Sequence, residues 1–230
     1  MTDASARSAR GPRRLLGLAF RGLPVLLAPC ARARRLFFYE SDLDVPLPPL
    51  PPPLVPLDLH VATRDELLAR AEELPGFGVD VEEAVRRLDE GDVAIVGIVE
   101  GALAHLQWIS FRSPWVNEIG VTLRLAPGES TAYGAFTAPA WRGHGIHALA
   151  SRFLNEEQRR RGATRMVAWV WASNRASRRV LFAKLGRRRT KTVWSLWVLG
   201  MRRPLLIGAT ATGSPSLARG EPGPKSTARP

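Results

Sequence analysis

The fold is decided by one stretch of the sequence, Phe136-Thr137-Ala138-Pro139-Ala140-Trp141-Arg142-Gly143-His144-Gly145-Ile146-His147. An apolar run typical of a strand ends at Thr137, and apolar side chains recur at helical spacing from Ile146 onward. A helix that begins directly after a glycine turn leaves its first backbone N–H groups unpaired, and together with the helix dipole they favour a phosphate or pyrophosphate. The stretch therefore predicts an anion-binding loop, to which Arg142 adds a positive charge.

Length and composition indicate a folded protein without disulfides. The chain has 230 residues, of which 45% are hydrophobic, enough for one sizeable domain with tails. Its single cysteine, Cys30, excludes an internal disulfide framework and a cysteine-based zinc cluster, and it favours a reducing compartment. His144 and His147 lie close in sequence but have no acidic neighbour. We therefore expect a cytoplasmic protein without a metal site.

The net charge of +12 is divided unevenly along the chain. Residues 1–40 carry +6 and residues 201–230 carry +4, whereas residues 41–140 carry −10 and residues 141–200 carry +12. The basic half begins at the anion-binding loop and suits a polyphosphate ligand. The acidic half suits a cationic acceptor, although solvated helix faces explain many of its charges equally well.

Composition divides the chain into four segments. Residues 1–45 are rich in arginine and predict a basic extension, which either touches a membrane surface or another protein or is disordered. Residues 46–56 form a proline-rich linker. Residues 57–200 hold the folded domain. Residues 201–230 are rich in small and polar residues and predict a disordered tail.

The apolar pattern of residues 57–200 predicts the element order β-α-α-β-β-β-β-α-β-α-β. Thr63 and Glu66 have the spacing of a helix capping box, and residues 93–99 and 103–110 pair as a hairpin. One long crossover joins the strand before the loop to the strand after the following helix. Hairpins combined with a single crossover predict an α/β (α+β) fold with a mixed sheet, neither doubly wound nor a barrel.

A dinucleotide-binding motif is the alternative interpretation of the loop, because Gly143, Gly145 and Ala148 also satisfy its glycine fingerprint. That motif requires a carboxylate for the ribose at the end of the next strand. Here the next strand ends in residues 169–174, which contain no carboxylate. A phosphate-binding loop of the Walker type is absent, because no Gly-Lys-Ser/Thr follows.

The whole arrangement resembles the GCN5-related N-acetyltransferase (GNAT) superfamily. Its pyrophosphate signature, Gln/Arg-x-x-Gly-x-Gly/Ala between a strand and a helix, corresponds to residues 142–147, with His147 in place of the final small residue. Its second signature corresponds to Asn174-Arg175-Ala176-Ser177, opening a helix that ends at Gly186. The resemblance covers about residues 57–199. It implies a mostly antiparallel, twisted sheet with splayed central strands and flanking helices.

The resemblance also implies acetyl-CoA, or another acyl-CoA, in the opening between the splayed strands. The backbone of the first strand would bond the pantetheine arm, and the N–H groups of the loop would hold the pyrophosphate. Asn174 would bond the pantetheine or the thioester region, with Ser177 in the same site. Through its ring, His147 would widen the loop or displace the ligand. The implied cofactor-binding residues are Ala135, Phe136, Thr137, Arg142, Gly143, His144, Gly145, Ile146, His147, Asn174 and Ser177.

The resemblance implies that an amine of a small molecule or sugar attacks the thioester directly, and that a base and an acid assist the reaction. The family's usual acid is a tyrosine at a position that corresponds here to Leu181 or Phe182. The catalytic residues we assign are Glu118 as base, Tyr133 as acid and Asn174, with buried packing as the other interpretation of Tyr133. The alternative bases are His105 and Glu129.

Three functions stay open at this point. The first is N-acyl transfer from acetyl-CoA to an amine acceptor, and the second is CoA binding with little or no turnover. The third is binding of nucleic acid or an anionic membrane by the arginine-rich ends. These ends lack the interleaved aromatic residues of a base-stacking surface, so we expect no specific nucleic-acid partner.

Overall fold

The computed structural model describes residues 31–198, 204–210 and 216–218. The strands are β1 (Ala31–Asp42), β2 (Asp58–Val61), β3 (Val93–Val99), β4 (Ala102–Ser110), β5 (Trp115–Val116), β6 (Val121–Arg124), β7 (Glu129–Thr137), β8 (Arg165–Trp171), β9 (Arg188–Val198), β10 (Leu205–Thr210) and β11 (Ser216–Ala218). The helices are α1 (Arg64–Ala69), α2 (Val81–Asp89), α3 (Ile146–Arg160) and α4 (Arg175–Arg178), which continues as a π-helical segment (Arg179–Lys184).

The strands form two sheets. The larger sheet has eight strands in the order β10-β9-β1-β8-β7-β4-β3-β2, and the smaller has the order β11-β6-β5. Every neighbouring pair is antiparallel except β7 and β8, which run parallel because α3 connects them as a crossover. This architecture confirms the predicted mixed, mostly antiparallel α/β fold.

Each face of the large sheet has its own cover. On one face, Phe37, Ile95 and Ile109 pack with Leu154 of α3 and Leu181 of the π-helical segment. Side chains alternate across a strand, so the neighbours of these strand residues point to the other face. There, α1 and α2 cover β3 and β4, and the small sheet covers β1, β8 and β9. The core is therefore divided into layers on both sides of the large sheet.

Local capping explains where two helices begin. The Thr63 hydroxyl accepts a hydrogen bond from the Glu66 backbone N–H at 3.1 Å, as the capping box predicted. Asp80 accepts one from the Glu83 backbone N–H at 2.8 Å and starts α2 in the same way. Among the described residues, no helix combines the length and the hydrophobicity that crossing a bilayer requires.

The predicted domain boundary is wrong, because part of the expected N-terminal extension lies inside the large sheet. Strand β1 pairs with both β8 and β9. Leu36 and Phe38 on it are 0% exposed. A strand that is buried on both faces has a continuous apolar sequence, which here is residues 36–39. Because three arginines lie directly before this run, the segment resembles a charged, solvated extension in the sequence. Residues 46–56 are thus a connection within the fold, and residues 1–30 lie outside the described residues.

The tail prediction is also wrong in part. Within residues 201–230, β10 pairs with β9 and β11 pairs with β6. Both strands are short and lie among small residues, so the composition of this segment predicts disorder. They are ordered because each pairs with the edge strand of a sheet that is already formed, which composition does not reveal. The rest of the tail lies outside the described residues. The helix predicted to open at residues 174–177 and to end at Gly186 is present as α4 and its π-helical continuation.

Candidate functional site

The large sheet opens between its two parallel strands. Strands β7 and β8 pair over four residues, and the last pair is Ala132 with Ala168. However, β7 continues to Thr137 and β8 continues to Trp171. The two strands therefore separate beyond the last pair and leave a cleft, as expected for splayed central strands.

A β-bulge bends β7 at the start of this cleft. Trp108 pairs with Tyr133 and Leu106 pairs with Phe136, so β7 holds one more residue than β4 between these pairs. Gly134 lies in the bulge with φ 62°, and a Cβ added to it would lie 3.1 Å from Cδ1 of Trp108. Glycine accommodates both the backbone angle and the close approach. The bulge thus helps turn β7 away from β8.

The backbone of β7 presents hydrogen-bonding groups to the cleft. The Ala138 N–H donates to the Ala104 carbonyl on the β4 side at 2.9 Å. Because backbone groups alternate between the two edges of a strand, those of Thr137 and Ala135 point toward the open edge. Nε of Arg142 donates to the Thr137 carbonyl at 3.0 Å, and its guanidinium lies 5.3 Å from the centre of the Phe136 ring. This positions a cation at the mouth of the cleft.

The glycine loop lies at the same mouth and is sterically open. Gly143 and Gly145 have φ values of 88° and 83°, and a Cβ added to either would meet no atom within 4 Å. No acceptor among the described residues receives the backbone N–H groups of residues 143–147. Gly145 caps α3 without a side-chain hydrogen bond. The loop therefore combines unpaired donors, a helix N-terminus and free space, which is the arrangement that binds an anion.

The His147 side chain packs beneath α3. Its ring stacks on that of His105, with centroids 5.7 Å apart and planes inclined by 27°. Nδ1 of His105 lies 2.8 Å from Oγ1 of Thr137. The sequence predicts that this ring widens the loop or displaces a ligand, whereas in the structure the ring contacts His105 on β4.

Burial keeps both histidines neutral near pH 7. Burial, together with the nearby Arg187 cation, lowers the pKa of His147 to about 4. Burial, together with the neighbouring His147, lowers the pKa of His105 to about 3. A group with so low a pKa is a weak base at neutral pH, which argues against His105 as the general base.

Asn174 acts as a helix cap. It follows β8, and its side-chain oxygen accepts a hydrogen bond from the Ser177 backbone N–H at 3.0 Å. The positions that correspond to the missing tyrosine carry no proton donor: Leu181 is buried in the core, and the ring of Phe182 packs edge-on against Tyr39 at 5.9 Å. Asn174 and Ser177 thus lie together at the end of the strand that diverges from β7.

Tyr133 belongs to a polar network on the α2 face of the sheet. Its hydroxyl donates to Asp92, and the Arg87 guanidinium lies 5.1 Å from the ring centres of Tyr133 and Trp108. Burial raises the pKa of Tyr133 far above its usual range. This geometry favours the packing interpretation of Tyr133. Asp92 and Arg87 are not predicted from the sequence, in which the available signal for Asp92 is a carboxylate directly before an apolar strand.

The two carboxylates considered as bases lie in different places. Glu129 is at the start of β7, where its side chain accepts the Ala126 N–H at 2.8 Å and pairs with Arg165. Glu129 and Arg165 therefore form a structural ion pair at the end where β7 and β8 are paired. Glu118 lies in the turn between β5 and β6, a half-buried position in the small sheet. Glu129 thus lies at the end of β7 opposite the glycine loop.

No group of three or more His, Cys, Asp or Glu side chains in the part of the chain that the structure describes is arranged to hold a metal ion.

No family model matches this sequence, and no curated protein matches it. Solved structures similar to it include a GCN5-related N-acetyltransferase from Sphaerobacter thermophilus, 14% identical, with a TM-score of 0.52 over 77% of this chain. The chain spans 55% of the length of that protein. Another is a GCN5-related N-acetyltransferase from Kribbella flavida, 19% identical over 80% of this chain and 65% of that one, with a TM-score of 0.46. At 14% identity, the likeness to the Sphaerobacter thermophilus protein establishes the fold alone, which is that of GCN5-related N-acetyltransferases.

Proposed function

On the basis of this fold, we propose that the protein is an acyl-CoA-dependent N-acyltransferase, which transfers an acetyl group from acetyl-CoA to an amine of a small molecule or sugar. One observation carries the proposal: the cleft between β7 and β8 opens at the glycine loop and the N-terminus of α3. A strand-like pantetheine arm and a pyrophosphate fit these two adjoining features.

In this proposal the chain supplies position and charge. The N–H groups of residues 143–147 hold the pyrophosphate, and Arg142 supports its negative charge. Backbone groups of Ala135 and Thr137 bond the pantetheine arm along the open edge of β7. Asn174 and Ser177 approach the arm from the end of β8. The open surroundings of Gly143 and Gly145 leave space for the pyrophosphate.

The proposed reaction is a single displacement. The amine nitrogen forms a bond to the thioester carbonyl carbon, the carbon–sulfur bond breaks, and the thiolate leaves. Glu118 as the base that takes the ammonium proton, Tyr133 as acid and Asn174 as a catalytic residue remain proposals. Since Tyr133 donates to Asp92 and has a raised pKa, we favour solvent as the proton source for the thiolate. A cytoplasmic location is part of the same proposal and rests on the single cysteine.

Calorimetry with acetyl-CoA tests the binding half of the proposal. We expect saturable binding by the unmodified protein and its loss in Gly145→Trp, whose ring would fill the space beside the loop. Gly162→Trp is the matched control, because Gly162 also has a positive φ and open surroundings but follows the other end of α3. Absence of binding by the unmodified protein would refute the proposal.

A second candidate is a CoA-binding protein with little or no turnover. It is favoured by the apolar residues Leu181 and Phe182 at the usual acid position and by the engaged hydroxyl of Tyr133. Release of free thiol from acetyl-CoA, measured with amino sugars, polyamines and peptides, separates the two. Turnover with any of these amines supports the enzyme, and binding without thiol release from the whole panel supports the second candidate.

A further inference from the structure

One face at the end of the large sheet is apolar and exposed. In register, Ile207 of β10 lies beside Trp194 of β9, and Trp194 lies beside Arg35 of β1, so the three share a face. Four of the eight large exposed hydrophobic side chains of the described residues belong to this face: Trp194 (44% exposed), Val198 (36%), Leu205 (45%) and Ile207 (58%). We call it the β9–β10 face. Contiguous exposed apolar surface of this kind marks an interaction site.

Arginines border this face. Guanidinium groups of Arg35, Arg178 and Arg189 lie 5.9, 5.2 and 4.8 Å from the centre of the Phe37 ring, and Arg35 lies 4.9 Å from that of Trp194. In the described ranges no carboxylate forms an ion pair with any of these arginines.

The surrounding sequence makes this end of the sheet strongly positive. No Asp or Glu occurs between Glu157 and Glu221, a segment that includes β8, β9, β10 and β11. Like charges held close together repel one another, and an anionic partner relieves that repulsion.

The positive charge of the β9–β10 face limits which partners can bind to it. A second copy of this chain would bring arginines against arginines. Residues 1–30, which precede β1 in the sequence, carry five arginines against one aspartate and are also basic. An occupant must therefore be anionic and must also accept tryptophan, leucine and isoleucine. The headgroup region of an anionic bilayer has both properties, because it combines negative charge with an apolar interior.

We propose that the β9–β10 face docks the protein peripherally on an anionic lipid membrane. Trp194, Leu205 and Ile207 enter the headgroup boundary, while Arg35 and Arg189 contact lipid phosphates. This docking is independent of the proposed acyl transfer.

The test is co-sedimentation of the full chain with vesicles of phosphatidylcholine alone or mixed with phosphatidylglycerol. We expect binding to the anionic vesicles only. Each arginine near an anionic surface contributes a factor of about five. The double variant Arg35→Gln/Arg189→Gln should therefore weaken binding by roughly 25-fold.

A matched control separates this face from the high overall charge. Arg64→Gln/Arg124→Gln removes the same charge from two exposed arginines on α1 and β6, elements that cover the other face of the large sheet. We expect it to weaken binding only slightly, by less than about threefold, since these arginines lie away from the bilayer. Equal losses in the two double variants would overturn the proposal.

The apolar contact is tested separately, with brominated phosphatidylcholine in the anionic vesicles. Tryptophan fluorescence should be quenched, and Trp194→Phe should remove most of the quenching while circular dichroism shows an unchanged fold. Quenching that persists in this variant would overturn the proposal. So would a dimer in light scattering that Ile207→Ser dissociates, or binding to duplex DNA that equals vesicle binding and is unaffected by Ile207→Ser.

Discussion

Among single residues, His147 shows how a departure from a motif is accommodated. A ring at this position lies on the inner side of α3, where it stacks on His105. The loop itself keeps its two glycines and its open surroundings. The consequence of this histidine is therefore energetic: it places two neutral imidazoles in contact inside the protein.

We predict that acid destabilises the protein through this pair. Both histidines have folded-state pKa values, about 4 and about 3, below the unfolded value of about 6.5. The unfolded state therefore binds more protons below about pH 6.5, and the free energy of unfolding falls as the pH falls toward 4. Each histidine contributes a slope of up to about 1.4 kcal/mol per pH unit. Urea unfolding between pH 4 and pH 7 measures this slope.

His147→Phe keeps an aromatic ring but removes one titrating group, so it should lower that slope by up to about 1.4 kcal/mol per pH unit. His60→Gln, which removes a histidine outside this pair, is the control and should leave most of the slope in place. An unchanged slope in His147→Phe would contradict the assignment.

Tyr133 gives a second prediction at this scale. Tyr133→Phe removes the hydroxyl that donates to the nearly buried Asp92 carboxylate. An unsatisfied buried acceptor costs about 1–3 kcal/mol, and we expect a loss of this size in chemical unfolding. Acyl transfer should persist, because the hydroxyl is engaged on the α2 face. A large fall in the rate of thiol release at unchanged stability would instead identify Tyr133 as the acid.

Among the elements, β7 determines the site. Its first four residues pair with β8, and its last five contain the bulge and continue without a partner on the β8 side. The same strand therefore closes one end of the sheet and opens the other. The helix that follows it, α3, begins after the glycine loop beyond the open end of β7, so strand and helix present their unpaired backbone groups together.

Gly134 tests the role of the bulge. Gly134→Val places a β-branched residue at φ 62° and a Cβ 3.1 Å from Trp108. Strain at such a backbone angle costs about 1–3 kcal/mol, and we expect at least this loss in the free energy of unfolding. Gly76→Val is the control, because an added Cβ there meets nothing within 4 Å and the backbone angle is not positive. Equal effects of the two substitutions would show that the bulge is not constrained.

At the scale of the whole molecule, β1 ties the two ends of the chain together. It lies between β8 and β9, so the β9–β10 end of the large sheet is attached through it. On one face of the sheet, the β1 side chains Leu36 and Phe38 pack against the small sheet. That sheet includes β11, which comes from the C-terminal part of the sequence. The proline-rich connection then leads to β2 on the opposite edge and passes the glycine loop, where the Leu54 N–H donates to the His144 carbonyl at 3.4 Å.

We predict that β1 is required for folding. Phe38 is completely buried, and Phe38→Ala should cost about 3–5 kcal/mol in unfolding experiments. A chain that begins at residue 46 lacks the whole strand and should show no cooperative thermal transition. The exposed Val45→Ala is the control and should change stability by less than about 0.5 kcal/mol. Cooperative unfolding of the shortened chain would contradict the placement of β1.

Local sequence signals are sufficient to predict the elements near the glycine loop and the fold class. Gly143, Gly145 and the apolar period from Ile146 are local signals, because backbone conformation and helix periodicity depend on neighbouring residues. These signals, with the capping box at Thr63, were sufficient to predict the crossover, the mixed sheet and the family resemblance.

Contacts between residues that lie far apart in the sequence are fixed by tertiary packing. β1 pairs with strands more than one hundred residues away, and its arginines make it resemble a solvated extension in the sequence. Likewise, the contacts of Tyr133 with Asp92, of His147 with His105 and of Glu129 with Arg165 join separate elements. Such contacts follow from packing in three dimensions, on which composition and periodicity carry no information.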